Sequence, residues 1–166
     1  MEVKNIWQWI GKVKIDHVKN NKIIKTKTIF NMITNNALNE ILKALYNETN
    51  LQLAYLAIGD DDTAAAASDT ELGNEIYRTP IISKLKTGTG ELTSRAILLD
   101  TEPYEAPSPP SHDQCTIKEI GFFAGTDATT TIDSGLLLSR IVLTTPETKQ
   151  DNEQIQFTRT DTFERG

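Results

Sequence analysis

Five carboxylates crowd into one stretch of this chain: Asp60, Asp61, Asp62, Asp69 and Glu71. Calcium is bound by several oxygens, often from aspartates on a flexible loop, which makes Asp60, Asp61, Asp62 and Asp69 a candidate cation set. The spacing is not that of an EF-hand, and three consecutive aspartates cannot all face one ion. Solvated loop acids are therefore the competing reading. Ser111-His112-Asp113 has the letters of a nucleophilic triad. Adjacent residues on a proline-flanked loop do not take triad geometry, so an exposed loop accounts for them better.

The lone cysteine, Cys115, excludes an internal disulfide and any multi-cysteine zinc site. It reads as a small buried hydrophobe. Gly88-Thr89-Gly90 lacks the spacing of a phosphate-binding loop. No basic stripe interleaved with aromatics marks a nucleic-acid groove. These residues point to no catalytic group, no cofactor and no small-molecule ligand, and the expectation is a protein that is not an enzyme.

Two further charges stand where strand parity places apolar side chains. Arg140 alternates with Leu136, Leu138 and Val142, and Glu119 with Ile117, Gly121 and Phe123. A charge buried alone is costly, so pairing is expected. Glu75 or Glu119 would pair with Arg78 or Arg140, within one chain or across a subunit boundary. Otherwise these charges sit at strand ends in water. Gly121 suggests a bulge or a close backbone approach.

The elements that must position these residues are mainly strands. Val13, Ile15 and His17 alternate with Lys12, Lys14 and Asp16, the period of a half-buried strand. Asn20-Asn21 supplies a tight turn, and Lys22 to Thr28 returns as a second strand. Thr34 is an N-cap for one helix over about residues 35–47, with Ala37, Leu38, Ile41, Leu42 and Leu45 forming a stripe that should pack on a sheet. Strands follow over 53–58, 76–86, 92–99, 116–123, 136–143 and 154–163. Pro80 inside the second of these suggests an edge. Prolines at 103, 107, 109 and 110 make residues 101–114 a stiff loop. The expected fold is mainly β: a β-sandwich over residues 29–166 with one packed helix, preceded by a basic arm or hairpin over residues 1–28.

Residues 1–30 hold seven lysines against two acids, so within a net charge of −6 the remainder carries −11. A basic arm on an acidic body fits an arm lying on an acidic neighbour better than it fits a nucleic-acid binder. Ile6, Trp7, Trp9, Ile10, Lys12 and Lys14 are its candidate interface anchors, since tryptophan is enriched at binding hot spots. The alternative is that the tryptophans pack on the chain's own core. No apolar run approaches a membrane span, and Met1-Glu2-Val3-Lys4 has no secretory apolar stretch. Synthesis and folding in a cytoplasm are expected.

Four motifs in this order carry a family resemblance: Ala57-Ile58-Gly59-Asp60, the run from Asp69 to Arg78, Glu119-Ile120-Gly121-Phe122-Phe123 and Leu137-Leu138-Ser139-Arg140. Together with Thr34-Asn35, the chain resembles small virion structural proteins of tailed bacteriophages and related tail-like particles. The likeness covers roughly residues 20–163. The chain departs from it at Gly59-Asp60-Asp61-Asp62, where such proteins are richer in glycine and threonine. The resemblance implies a virion protein of the tail, baseplate or fibre region, assembling with other virion proteins and as a homo-oligomer. It equally admits a capsid decoration protein. A receptor- or carbohydrate-binding module is a third possibility, resting on the loops at 59–70 and 101–114, where Tyr104 is the aromatic.

Overall fold

The computed structural model describes residues 7–45, 51–103 and 115–165. Among the described residues the chain is mainly β with one helix. The strands are β1 (Trp7–Lys19), β2 (Lys22–Phe30), β3 (Met32–Ile33), β4 (Leu53–Gly59), β5 (Glu75–Gly88), β6 (Glu91–Leu98), β7 (Cys115–Ala124), β8 (Leu136–Lys149) and β9 (Gln154–Arg165), and the helix is α1 (Asn35–Leu45). All strand pairs are antiparallel, in one nearly closed sheet of order β2-β1-β9-β6-β5-β4-β7-β8-β3.

The β1–β2 hairpin turns on Asn20 and Asn21, at φ 51° and 59°. Asparagine tolerates this region better than most residues, and the two together match the twist of the flanking strands. The hairpin is built into the sheet. β1 pairs with β9 from Trp7 to Val18, and its Val13 and Ile15 lie in the core. The expected boundary at residue 28 therefore does not separate an arm from a body.

β5 changes partner along its length: Tyr77 to Pro80 pair with β4, and Ile81 onward pairs with β6. Pro80 stands at that exchange, where its missing N–H disturbs the ladder least. β8 runs on to Lys149, past the expected end at Leu143. Its register to β7 jumps between Val142 and Glu147, so Pro146 falls in the unpaired stretch.

One core fills the rolled sheet. Val13, Ile15, Ile155 and Phe157 meet Leu56, Ile58, Ile120, Phe122 and Ile141 within it. A second cluster of Ala57, Leu72, Phe123 and Leu137 lies on the opposite face of β4, β7 and β8, under the loop between β4 and β5. Phe122 and Phe123 point to opposite faces and both are buried.

Thr34 caps α1 by accepting the Ala37 amide at 3.2 Å, and its hydroxyl donates to the Leu137 carbonyl at 2.7 Å. The helix contradicts one expectation. Ala37 is buried, but Leu38, Leu42 and Leu45 are 48%, 57% and 80% exposed. Only one side of the short helix reaches β8, so the wide apolar stripe is largely outside.

Candidate functional site: two loops held by buried arginines

Arg140 and Glu119 sit on neighbouring strands, β8 and β7, facing the second cluster. Arg140 Nε donates to Glu119 Oε2 at 2.8 Å. Its remaining nitrogens reach into the loop between β4 and β5, donating to Asp69 Oδ2 at 2.9 Å, Asp61 Oδ2 at 3.0 Å and the Thr63 carbonyl at 3.2 Å. Glu119 completes the hold by accepting the Gly73 and Asn74 amides at 3.0 and 2.8 Å. Burial disfavours the charged guanidinium, but the Asp69 and Glu119 bonds outweigh it and raise the Arg140 pKa. Thr63 and Arg140 likewise overcome desolvation at Asp61 and lower its pKa.

The candidate calcium set is therefore divided. Asp61 and Asp69 face a guanidinium, Asp60 accepts from Asn74 Nδ2 at 2.6 Å, and Asp62 meets Lys118 Nζ at 3.3 Å. Among the described residues no group of three or more carboxylate, histidine or cysteine side chains is arranged to hold a metal ion.

A second arginine does the same for the loop between β7 and β8, residues 125–135. Arg78 and Glu75 form a buried bidentate pair at 2.5 and 2.6 Å. Arg78 Nη1 also donates to the carbonyls of Thr129 and Ser134 and to Ser134 Oγ, at 2.9 to 3.1 Å. Glu75 Oε2 accepts the Asp133 amide at 3.2 Å. The guanidinium lies 4.5 Å over the Phe123 ring, a cation–π contact in a desolvated setting. Ile132 is left 49% exposed on this fixed loop, between exposed Asp127 and Asp133.

Gly121 lies between the two pairs. A Cβ there would meet Leu72 Cδ2 at 2.8 Å and Phe123 at 3.0 Å, a close approach that any larger residue would have to relieve by displacing those side chains. The parity expectation needs two corrections: on β7 a register shift between Ile117 and Glu119 puts Ile117 in the main core and not on the face of Glu119 and Phe123, and on β8 there is a bulge. The register runs Phe123 to Leu137 but Phe122 to Ser139, so Leu138 is an extra, bulged residue. Arg140 consequently shares its face with Leu137 and Val142, while Leu138 joins the main core.

Of the interface anchors, Trp9 is half-buried: its Nε1 donates to Asp161 Oδ1 at 2.8 Å, and its ring stacks on Phe163 at 5.1 Å. Ile10 is half-buried, and Lys12 and Lys14 are exposed on the outer face of β1. Ile6, the Trp7 side chain, Tyr104 and Ser111-His112-Asp113 lie outside the described residues.

No family model matches this chain, nor does any curated protein or solved structure. The arrangement must be read on its own terms. Its chemistry is that of arginines with a partner at every nitrogen, which fixes the backbone of the two loops.

Two further networks went unread in the sequence. Arg159 pairs with Asp161 through two 2.7 Å bonds and donates to Ser139 Oγ at 2.7 Å, deep in the core. His17 lies between Glu153 at 2.8 Å and Glu147 at 3.2 Å, and Lys25 and Lys27 also reach Glu147 across the gap between β2 and β8. The signal was there: Ile155, Phe157, Arg159 and Asp161 keep one parity, the pattern that marked Arg140.

Proposed function

We propose that this chain is a non-enzymatic structural component of a tailed-phage virion or tail-like particle, working in the tail, baseplate or fibre region through protein–protein contacts. The observation that carries the structural role is the pair of exposed loops, 60–74 and 125–135, each locked to the sheet by a buried arginine. Loops fixed before contact lose little entropy on docking, which suits an assembly surface. The phage assignment rests on the ordered motifs, several of which turn out to be the parts that hold those loops: Asp69, Glu75, Arg78, Glu119, Gly121 and Arg140. The rolled sheet reads as a sandwich of two layers, one of β2, β1, β9 and β6, the other of β4, β7, β8 and β3, with β5 passing between them. Deleting residues 1–28 would remove a core strand, so it cannot test an attachment role. Immunogold labelling of particles from the producing strain, with an antibody to the purified chain, tests the reading. Labelled tails are expected; purified particles without label would overturn it.

A further inference from the structure

β2 and β3 end the sheet, and a single residue, Asn31, separates them in the chain. β3 pairs with β8, Met32 with Arg140 and Ile33 with Ser139. From Ile141 onward the edge of β8 that faces away from β7 has no strand beside it among the described residues, and neither has the edge of β2 that faces away from β1. The chain crosses between the two at Asn31, whose N–H still donates to the Gly11 carbonyl of β1 at 3.1 Å.

These two free edges stand opposite one another in one register. Carried back along the chain, the β3–β8 pairing sets Phe30 against Val142, Thr28 against Thr144, Lys27 against Thr145 and Lys25 against Glu147. Side chains join two of those pairs: Lys27 Nζ donates to the Thr145 carbonyl at 2.9 Å, and Lys25 meets the Glu147 carboxylate. Facing agrees as well. Ile29 and Leu143 both pack in the main core, whereas Thr28, Phe30 and Thr144 are exposed. Above the lysines the seam stands open as a cleft of about 970 Å³, with Phe30, Asn31 and Met32 on one side and Ile141 to Thr144 on the other. A shared register and matched faces are what strand pairing requires. In this seam side chains make the connection that main-chain bonds make elsewhere in the sheet.

We infer that β2 is a strap: its free edge zips onto β8 in the register of β3, which completes the barrel, and it unzips to the lysine-clasped form with the cleft open. The zip runs from Asn31, where the neighbouring residue Met32 is held on β8. Closure gives each edge the main-chain partners of the other, and a closed barrel offers no edge to another chain. Pro146 would stand opposite Thr26 with no N–H to give, so the ladder is weakest at the far end. There Lys25 and Lys27 keep the strands in register by holding Glu147 and Thr145. Closing also removes the cleft, so the strap decides whether Phe30, Met32 and Val142 are accessible from the seam. The inference stands on the fold alone and is independent of the virion reading, which particle labelling tests.

Disulfide trapping in a Cys115→Ala background, with oxidised glutathione and the folded chain, tests it. The in-register pairs Thr28→Cys/Thr144→Cys and Phe30→Cys/Val142→Cys should each form a disulfide within one chain, because closure brings their Cα atoms to about 4.5–5.5 Å, within bridging distance. Thr28→Cys/Val142→Cys and Phe30→Cys/Thr144→Cys recombine the same four positions out of register. Their Cα atoms stay about 7–8 Å apart even in the closed form, so they should oxidise at least tenfold more slowly. Using the same positions in both sets cancels differences in thiol exposure. Rates should not change over a hundredfold range of protein concentration, and circular dichroism should match the wild type before and after oxidation. Equal rates in all four variants, disulfides that link two chains, or no oxidation of either in-register pair overturns the inference.

Discussion

Arg140 donates to Glu119 across adjacent strands at 2.8 Å, and the same guanidinium reaches Asp61 and Asp69 of the loop above. Glu119 is fully buried and Arg140 nearly so. Removing one partner of such a pair leaves the other charge uncompensated, which costs about 3–5 kcal/mol. Arg140→Met should therefore lower the unfolding free energy by about that amount in urea titration. The double variant Arg140→Met/Glu119→Gln should recover part of it. Limited proteolysis should cut within residues 60–74 faster in the single variant. A single variant as stable and as resistant as the wild type would show that the arginine does not hold the loop.

That ion pair marks how far the sequence could be read. Parity placed Glu119 and Arg140 among apolar side chains, and satisfaction of buried charge then required partners, so a pairing of Glu75 or Glu119 with Arg78 or Arg140 was legible, but which carboxylate meets which arginine was not. Which face they occupy was not, because the bulge at Leu138 is invisible to a period-two count. The Asn20-Asn21 turn and the Thr34 cap were legible because their chemistry is local. The pairing of β1 with β9 joins segments more than a hundred residues apart, and nothing in either strand names the other. The same blindness made the N-terminal hairpin look detachable. It also made the α1 stripe look covered, since amphipathicity shows which side of a helix is apolar and not whether a partner is present.

Gly11 and Asn31 are packed so tightly that a Cβ on Gly11 would lie 1.8 Å from Asn31 Oδ1. The Asn31 side-chain amide is buried and finds no hydrogen-bond partner among the described residues, while its backbone N–H donates to the Gly11 carbonyl at 3.1 Å. Gly11→Ala must therefore displace Asn31, and overpacking of this kind costs about 1–3 kcal/mol. Adding Asn31→Ala should restore most of the loss, because it removes both the clash and the unsatisfied amide. A double-mutant cycle by thermal denaturation measures the coupling; simple additivity would contradict the packing account.

Thr34 serves two elements with one hydroxyl: it accepts the Ala37 amide and donates to the Leu137 carbonyl on β8. Loss of an N-cap costs about 0.5–2 kcal/mol, and the orphaned carbonyl adds to it. Thr34→Ala should sit at the upper end of that range, while Thr34→Ser should remain near the wild type. Hydrogen exchange should rise selectively in α1 for the alanine variant. Equal exchange in both variants would remove Thr34 from the role of tying the helix to the sheet.

Glu147 links pH to the closure between β2 and β8. Burial would raise its pKa, but hydrogen bonds from Lys25 and Lys27 overcome this and hold the carboxyl below its ordinary value of 4.5. Asp16 is lowered in the same way, with Lys14 and Thr26 outweighing desolvation. A carboxylate whose folded pKa is depressed binds fewer protons folded than unfolded, so stability rises with pH through this window. The contribution is complete above the unfolded value and is lost as pH falls through the folded one. Melting temperature should therefore drop on acidification below about pH 4.5, and Glu147→Gln should flatten that slope while lowering stability at neutral pH. Lys25→Met should flatten it as well, because the lysine supplies part of the shift. A melting curve that keeps its acid slope in both variants would place the origin of acid sensitivity elsewhere in the sheet.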